Sequence, residues 1–258
     1  MKVVILAGGF GTRLSELTGT IPKPMVKIGD RPLLWHLMKS FSAQGFSDFV
    51  IGLGYKGHVI KEYFLNYSSV NSDFQINLKS GELKLYQSHQ DDWDVTLVDT
   101  GHSSMTGGRL LRLKEHLEEK PFIATYGDGL ANVNIKELIT FHKAHGKLAT
   151  LTSVRPAARF GEVEISECEV KSFKEKPQTQ TGWINGGYFV FQPEFFNLID
   201  GDKTVLEAEP LEMAASSGQL MAFQHTGFWQ CMDTLRDKNF LEKLYTSGKK
   251  PWFLTYDD

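Results

Sequence analysis

Residues 6–14 read L-A-G-G-F-G-T-R-L and come directly after the apolar run Val3-Val4-Ile5. Such a run predicts a buried strand, and the three glycines predict a tight turn at its carboxyl end. Glycine leaves room where the backbone must reach positive φ or approach a ligand closely, so that successive N–H groups can point at one phosphate chain. Arg13 adds a charged donor that can bind two oxygen atoms at once. The stretch therefore predicts a strand that ends in an anion site.

The same glycines would also fit an ordinary strand-to-helix turn in any doubly wound sheet. The dinucleotide pattern G-x-G-x-x-G is absent, and no Lys-Ser or Lys-Thr pair follows as a P-loop requires. Residues 22–25 read P-K-P-M, in which two prolines fix φ on either side of Lys23 and disfavour helix there. We therefore expect Lys23 on a stiff, extended segment, as a second cation for the anion that Arg13 binds.

Composition limits the class of protein. The chain has 258 residues, of which 23% are charged, and a formal net charge of −3 at pH 7. No broad basic surface is expected, so the sequence predicts neither nucleic acid nor a membrane as a partner. Cys168 and Cys231 lack C-x-x-C spacing and predict reduced thiols in a cytoplasmic protein rather than a disulfide or a zinc site. The apolar run after Lys2 is too short for a signal peptide or a membrane span.

Strand and helix patterns alternate along the first half of the chain. Residues 49–54 form a second apolar run that ends in glycine, and residues 59–64 have a helical pattern. Asp30, just before Arg31-Pro32, predicts the cap and the start of an earlier helix. This alternation predicts an α/β protein with a mostly parallel sheet.

One segment has a different period. Between residues 73 and 86, apolar residues alternate with polar ones on both sides of a turn at residues 79–81. The pattern predicts a β-hairpin arm over about residues 70–90. The arm either faces solvent or packs against a neighbouring subunit.

Two polar loops follow later strands. Residues 99–109 read D-T-G-H-S-S-M-T-G-G-R and are small and polar enough to close around a nucleobase, with Ser103, Ser104 and Thr106 as candidate contacts. Arg109 either faces the phosphates or is an exposed helix arginine. Residues 122–129 read F-I-A-T-Y-G-D-G and place Asp128 at the carboxyl end of a strand, where ligands of open α/β sheets bind. A carboxylate oxygen there is a ligand that magnesium takes in proteins, and magnesium commonly accompanies a bound phosphate chain.

The second half of the chain contains three further candidates. His142 and His145 have no third ligand nearby in sequence, so we expect surface histidines rather than a metal site. Residues 185–187 read N-G-G inside an apolar run, and glycine there predicts a sugar or a backbone segment that passes close to the strand. Asp233 precedes a helical pattern and is either a metal ligand or part of the helix cap, in which case Asp237 is the alternative ligand.

The pair L-A-G-G-F-G-T-R-L and P-K-P-M, at this spacing, resembles the signature of the sugar nucleotidyltransferases, or nucleoside-diphosphate-sugar pyrophosphorylases. The resemblance extends to near Trp252 and is strongest to the branch that transfers a cytidylyl group to glucose 1-phosphate. It implies CTP and glucose 1-phosphate as substrates, CDP-glucose as a product, Mg²⁺ as the cofactor and a homo-oligomer such as a hexamer. It also implies a role in the synthesis of dideoxysugars or of surface polysaccharides such as lipopolysaccharide O-antigen.

The resemblance implies roles for individual residues as well. Arg13 and Lys23 are the implied catalytic residues, and Asp128 and Asp233, the latter in a W-x-x-x-D-T pattern, are the implied metal ligands. With the loop residues Ser104 and Arg109, the predicted nucleotide-binding set is Leu6, Ala7, Gly8, Gly9, Gly11, Thr12, Arg13, Lys23, Ser104 and Arg109. The implied sugar-phosphate-binding residues are Gly161, Glu175, Lys176 and Asn185, with Glu175 and Lys176 in the family's E-K-P.

The predicted fold is α/β, a Rossmann-like mostly parallel sheet flanked by helices, of the nucleotide-diphospho-sugar transferase type and with a β-hairpin arm. We expect a single domain over residues 1–258, with a nucleotide-binding half over about residues 1–148 and a sugar-phosphate half over about residues 149–258. Two alternatives stay open. One is the same chemistry with UTP or dTTP, and the other is a non-catalytic regulatory subunit that binds sugar nucleotides.

Overall fold

The structure is a computed structural model, and it describes residues 1–14, 18–88, 91–156, 162–166, 169–174 and 182–254. The predicted sugar-phosphate residues Gly161, Glu175 and Lys176 lie outside the described residues. For Arg13 the backbone is described and the side chain is not.

Strands and helices alternate as the sequence predicts. The strands are β1 Val3–Leu6, β2 Lys27–Ile28, β3 Arg31–Pro32, β4 Asp48–Leu53, β5 Ser72–Ile76, β6 Leu83–Ser88, β7 Asp94–Asp99, β8 Phe122–Tyr126, β9 Gly129–Ala131, β10 Ala149–Val154, β11 Glu162–Ser166, β12 Glu169–Lys174, β13 Ile184–Phe191, β14 Leu220–His225 and β15 Trp229–Cys231. The α-helices are α1 Leu33–Ser42, α2 Gly57–Leu65, α3 Tyr67–Val70, α4 Thr106–Arg112, α5 Ile135–His145, α6 Glu209–Ser216 and α7 Leu235–Thr246. Short 3₁₀ helices span Thr12–Leu14, Lys23–Met25, Lys114–His116 and Pro193–Leu198. Every helix in the described ranges is too short or too polar to span a bilayer.

Seven strands form the central sheet, in the order β14-β10-β13-β8-β1-β4-β7. All neighbouring pairs run parallel except those of β13, which is antiparallel to both β8 and β10. The predicted mostly parallel α/β sheet is therefore confirmed. The carboxyl ends of β1, β4, β7 and β8 lie at one edge, where β13 begins, so the loops that follow these strands meet there.

Apolar side chains cover both faces of this sheet. All four residues of β1 are buried, with Val3 and Ile5 in one core cluster and Val4 and Leu6 in the other. Successive side chains of a strand point to opposite faces, so a strand covered on both faces needs apolar residues throughout. Helix α1 packs in the first cluster together with the fully buried Trp252. A hydrophobic core on each face therefore holds the sheet, and with it the ends of the strands from which the loops begin.

The structure contains the predicted hairpin, formed by β5 and β6, which pair with each other and not with the central sheet. Its register places Phe74 opposite Leu85 and Ile76 opposite Leu83. These four side chains are between 40% and 48% exposed. The hairpin thus presents apolar side chains to its surroundings.

Asp30 does not cap α1, so that prediction is wrong. The helix begins at Leu33 after an extended Pro32, and the preceding residues form strand β3, which pairs with β2. The Asp30 carboxylate instead accepts a hydrogen bond from the Tyr245 hydroxyl at 2.6 Å. Pro32, and not Asp30, is the N-cap, and the carbonyl of Val26 accepts from the N–H of Leu33 at 2.9 Å, so a neighbouring backbone group partners the first N–H of the helix.

Lys23 does not lie on an extended segment either. Pro22 is extended, but Lys23–Met25 forms a 3₁₀ turn. Proline disrupts the interior of a helix, whereas Pro24 lies in a first turn, where its missing N–H removes no internal hydrogen bond. The turn fixes the backbone conformation at Lys23 and so limits the directions that its side chain can take.

Candidate active site

An ion triad lies at the edge of the sheet where the loops meet. The Nζ atom of Lys23 is 2.8 Å from Asp128 Oδ2 and 2.6 Å from Asp233 Oδ1. Lys23 is only 8% exposed. Burial by itself would lower the pKa of Lys23, but the charge of Asp128 and the hydrogen bonds to both carboxylates outweigh it and raise that pKa. Lys23 is therefore a cation at neutral pH.

A two-stranded ribbon brings the two aspartates together. Asp128 lies in the turn between β8 and β9, and Asp233 follows β15. Strands β9 and β15 pair antiparallel, and the N–H of Met232 donates to the carbonyl of Asp128 at 2.8 Å. Side chains from two distant parts of the chain thus face one ammonium group.

The start of helix α7 gives Asp233 and Asp237 different surroundings. Thr234 is its N-cap and accepts from the Asp237 N–H, while Asp237 Oδ2 accepts from the N–H of Thr234 at 2.9 Å and of Asp233 at 3.1 Å. This capping box occupies the Asp237 carboxylate in holding the first turn of the helix. Asp233 is left to face Lys23. Of the two residues, Asp233 is the one in the triad.

Two cavities open beside the triad, with volumes of about 410 Å³ and about 1030 Å³. Thr106, Tyr126, Asp128 and Asp233 line both of them. The predicted site residues that line the smaller cavity are Leu6, Ala7, Gly8, Gly9, Gly11, Thr12, Lys23, Ser104, Arg109, Asp128 and Asp233. Asn185 lines the larger cavity. The structure therefore brings together the predicted nucleotide residues that it describes, and it places Asn185 in a separate, adjoining space.

The glycine loop borders the smaller cavity. Gly11 has a φ of +64°, in the left-handed region that favours glycine. A Cβ atom on Gly8 would lie 2.3 Å from the guanidinium of Arg109, whereas one on Gly9 would meet open space. Within the described residues, the N–H groups of Gly8, Gly9 and Phe10 donate no hydrogen bond to other backbone groups. These N–H groups are therefore available to a bound anion.

Arg109 lines the smaller cavity and does not take the exposed position that was one of its two predicted alternatives. It is 4% exposed, so it is not an exposed helix arginine. Its guanidinium donates to the carbonyl of Gly101 at 2.7 Å, to Thr100 Oγ1 at 3.0 Å and to the carbonyl of Leu53 at 3.2 Å. Those contacts join the end of β4 to the loop that follows β7, beside Gly8. A contact between Arg109 and a phosphate stays a prediction.

The close packing around residues 185–187 explains why glycine occurs inside β13. Gly187 has a φ of +78°, and a Cβ atom there would lie 2.6 Å from the Tyr126 ring. The carbonyl of Gly186 accepts from Trp229 Nε1 at 2.8 Å. A Cβ atom on Gly186 would lie 2.7 Å from the Val154 side chain and 3.0 Å from the carbonyl of Thr152. Close neighbours of these glycines thus include the backbone of β10, as predicted, as well as side chains of the protein, and a sugar beside them stays a prediction. Asn185 Oδ1 accepts from the Gly187 N–H at 2.9 Å at the wall of the larger cavity.

Residues 2–234 match the family model for nucleotidyl transferase. The chain belongs to the nucleotidyl transferase family. It is 54% identical over 253 residues to a glucose-1-phosphate cytidylyltransferase of Salmonella typhi, covering 98% of each chain. It is 40% identical to a probable glucose-1-phosphate cytidylyltransferase of Bacillus subtilis, covering 98% of this chain and 99% of the relative. The crystal structure of HddC from Yersinia pseudotuberculosis matches with a TM-score of 0.70 and 25% identity, over 95% of this chain and 99% of that one.

Nucleotidyl transferases generally use a divalent metal. The thiol of Cys231 lies beside the two aspartates, and the sequence did not predict this position. Cys231 Sγ and carboxylate oxygens of Asp128 and Asp233 all lie within 4.8 Å of one another. Burial and the two negative charges raise the pKa of the Cys231 thiol, so it is protonated at neutral pH. Cys231 is the last residue of β15 and Asp233 lies two residues beyond it, so no strand period in the sequence relates the two side chains.

Glu207 is a second residue of this nucleotidyl transferase that the sequence did not indicate. It lines the larger cavity, and its carboxylate accepts from Thr106 Oγ1 at 2.6 Å and from the Tyr126 hydroxyl. Its partners are 101 and 81 residues away. No local pattern could have paired residues at these separations.

The expected surface position of the two helix histidines is wrong for His142, which is 1% exposed. His142 Nδ1 lies 2.9 Å from Thr150 Oγ1, and its Nε2 lies 2.9 Å from Gln192 Nε2. His145 Nε2 contacts the same Thr150 hydroxyl at 2.7 Å. The two histidines thus join α5 to β10 and form part of the packing of the nucleotidyl transferase fold.

We expect His142 to make stability depend on pH. Burial, with a smaller contribution from His145, lowers the pKa of His142 to about 4. In the unfolded chain a histidine titrates near pH 6.5, so between pH 7 and 5 only the unfolded state takes up this proton. The free energy of unfolding should fall by about 2 kcal/mol over that interval because of this one group. Its contribution to stability is complete above pH 6.5 and is lost as the pH falls towards 4.

Urea unfolding followed by tryptophan fluorescence at pH 7, 6 and 5 measures this change. The matched variant is His142→Asn, which retains polar atoms and does not titrate. Its free energy of unfolding should depend less steeply on pH than that of the wild type. Equal slopes in the two proteins would contradict the assignment.

Proposed function

We propose that this chain transfers a cytidylyl group from CTP to α-D-glucose 1-phosphate and so produces CDP-glucose and pyrophosphate. The observation that carries the proposal is the bridge of Lys23 between Asp128 and Asp233, at the junction of two cavities. A site for joining two anions needs a compartment for each and positive charge where they meet. The two cytidylyltransferase relatives, which match over nearly the whole chain, support the choice of CTP and glucose 1-phosphate.

In the proposed reaction, the phosphate oxygen of the sugar 1-phosphate attacks the α-phosphorus of CTP in line, and pyrophosphate leaves. No covalent enzyme intermediate is needed. Both reactants are anions, so the protein contributes positioning and charge neutralisation. We assign Arg13 and Lys23 to the departing pyrophosphate and Lys176 to the attacking phosphate.

The proposed cofactor is Mg²⁺, and the donor set fits it. Asp128 and Asp233 each direct an oxygen at one Nζ atom, so the pair is arranged around a positive charge. Carboxylate oxygens are the ligands that Mg²⁺ takes in proteins, usually one or two together with phosphates and water. These two aspartates would hold the ion, which neutralises phosphate charge when bound. Lys23 lines the smaller cavity, so its ammonium would face the phosphates of a nucleotide bound there.

A nucleotide panel tests this function. Pyrophosphate release is measured with Mg²⁺, glucose 1-phosphate and, in parallel, CTP, UTP, dTTP, ATP or GTP. We expect the highest kcat/KM with CTP, because hydroxyl and backbone groups in the loop with Ser104 can match the donors and acceptors of cytosine. A preference for UTP or dTTP would contradict the assignment of the base and leave the chemistry intact. Nucleotide binding without turnover would favour the regulatory subunit.

We propose further that the chain is one domain whose two halves divide the substrates. The smaller cavity is lined mainly by residues before 148, and most residues of the larger cavity follow that position. The cysteine pattern supports a cytoplasmic location. The product would supply the synthesis of dideoxysugars or of surface polysaccharides such as O-antigen.

The hairpin supports a homo-oligomer, and a hexamer is the form that we propose. A two-stranded hairpin without further packing is marginally stable in water. Here β5 and β6 pair only with each other among the described strands. Their large exposed apolar side chains are Phe74, Ile76, Leu83, Leu85 and Tyr86, and Leu78 follows in the turn at 90% exposure. A surface of this kind fits a neighbouring copy of the chain.

We expect the double variant Phe74→Ser/Leu85→Ser to form a smaller assembly than the wild type. These two side chains lie opposite each other on the hairpin, so the change removes one apolar patch from both strands. Sedimentation velocity measures the result. Leu65→Ser is the matched control, since Leu65 is 83% exposed and lies outside the hairpin. A monomeric wild type, or an unchanged assembly in the double variant, would contradict the proposal.

A further inference from the structure

Glu207 is held in one orientation at the wall of the larger cavity. Thr106 Oγ1, at the start of α4, donates to Glu207 Oε2 at 2.6 Å, and the hydroxyl of Tyr126, at the end of β8, donates to Oε1. Glu207 is nevertheless an exposed residue. Fixing an exposed glutamate in one orientation costs side-chain entropy. Two hydrogen bonds therefore fix an exposed carboxylate at an entropic cost, which suggests that its orientation serves more than a structural contact.

The two groups that hold Glu207 are both neutral. In the part of the chain that the structure describes, no lysine, arginine or histidine forms an ion pair with this carboxylate. Burial and the charge of Glu207 raise the pKa of Tyr126, so its hydroxyl stays protonated and acts as the donor. An ionised carboxylate can accept about four hydrogen bonds, and these two hydroxyls use two of them. The remaining lone pairs are available to a ligand in the cavity.

We propose that Glu207 accepts hydrogen bonds from two adjacent hydroxyl groups of the acceptor sugar and thereby selects that sugar. The inference rests on the proposed function and identifies the side chain that would recognise the hydroxyl groups of the sugar. A carboxylate repels phosphate, so the part of a sugar phosphate that fits beside Glu207 is its hydroxyl-bearing ring. Trp229, Ile184 and Phe240 line the same cavity and offer apolar surface for the CH groups of that ring.

Glu207 could bind either the acceptor sugar or the ribose of the nucleotide, and the residues that line each cavity distinguish the two. Thr106 and Tyr126 line both cavities, whereas Glu207 lines the larger one and not the smaller one. The glycine loop and Ser104 border the smaller cavity. The ribose is therefore expected away from Glu207, and the acceptor sugar beside it.

The test compares wild type and Glu207→Gln with glucose 1-phosphate and its 2-, 3-, 4- and 6-deoxy analogues. Each analogue lacks one hydroxyl. For two analogues whose missing hydroxyls are neighbours on the ring, we expect the kcat/KM of the wild type to be about 10- to 100-fold lower than for glucose 1-phosphate, since an unpaired charged acceptor is costly. In Glu207→Gln, the KM for glucose 1-phosphate should rise by about 10- to 100-fold and discrimination against those two analogues should be lost. The KM for CTP should stay within about twofold. Unchanged discrimination in the variant would overturn the proposal.

Three controls separate this role from a structural one. Thr106→Val removes one hydroxyl that holds the carboxylate; if Glu207 only anchors Thr106, both variants should change the two KM values alike, which would overturn the proposal. Glu209→Gln, at the exposed start of α6, is the matched substitution and should leave the analogue panel unchanged. If Glu207→Gln does not fold, Glu207→Asp keeps the charge and shortens the side chain, and it should still weaken discrimination.

Two further measurements keep the outcomes distinct. A penalty for dCTP relative to CTP that disappears in Glu207→Gln would place the carboxylate on the ribose and overturn the proposal. If the nucleotide panel shows no turnover, the proposed function fails by itself. Calorimetric titration of both proteins with glucose 1-phosphate then still tests Glu207, because weaker binding in the variant supports its role and equal binding contradicts it.

Discussion

Replacing Lys23 with alanine is expected to reduce kcat for the proposed reaction by about 10²- to 10³-fold, the usual cost of removing one donor that stabilises developing charge. The variant loses the ammonium that lies 2.6–2.8 Å from both aspartates. It also leaves Asp128 and Asp233 facing each other without the cation that separates them. Because the site is largely shielded from solvent around Lys23, water replaces that charge poorly.

Pyrophosphate release at saturating CTP and glucose 1-phosphate measures this effect. Lys27→Ala is the matched control, because Lys27 is an exposed lysine four residues away and should keep wild-type turnover. Circular dichroism and urea unfolding separate a loss of chemistry from a loss of fold. Undiminished turnover in a folded Lys23→Ala protein would remove Lys23 from the mechanism.

Asp233→Asn should reduce turnover and Asp237→Asn should reduce stability, although the two residues lie only four positions apart. Asp233→Asn is expected to reduce kcat by about 10²- to 10³-fold, because the site loses half of its carboxylate charge. Asp237→Asn weakens the capping box of α7 and should lower the free energy of unfolding by about 1 kcal/mol. Turnover should remain within a small factor in that variant.

Turnover at a series of Mg²⁺ concentrations, together with urea unfolding, distinguishes the two variants. A raised Mg²⁺ requirement in Asp233→Asn would agree with a role in holding the ion. Asp128→Asn should behave like Asp233→Asn, since both carboxylates contact the same Nζ atom. The reverse pattern, with Asp237→Asn inactive and Asp233→Asn active, would make Asp237 the residue of the chemical step.

Apolar runs were enough to predict most of the sheet. Strands such as β1, β4 and β8 are buried on both faces, so hydrophobicity alone indicates them. The prediction failed where a residue's neighbours are distant in sequence. His142 was expected at the surface because no local signal shows that Thr150 and Gln192 cover it.

The site was predicted in the same uneven way. The motifs identified Lys23, Asp128 and Asp233, but their mutual contact depends on β9 and β15, which have three residues each and are too short to show a period. The glycine loop has a second purpose that its spacing did not show, since Gly8 makes room for the buried guanidinium of Arg109. Side-chain pairs that join distant segments follow from the fold and not from local pattern.

Strand β13 determines how this protein can be recombined with its relatives. It belongs to the second half of the sequence, yet it lies between β10 and β8 and pairs with Phe122–Tyr126 of the first half. A chimera joined near residue 148 would set a foreign strand against β8, where Phe122 and Phe191 pack with ring centroids 5.7 Å apart. Contacting residues do not contribute independently to stability. An exchange of sugar specificity between two relatives should therefore carry β8 and β13 together from the same parent.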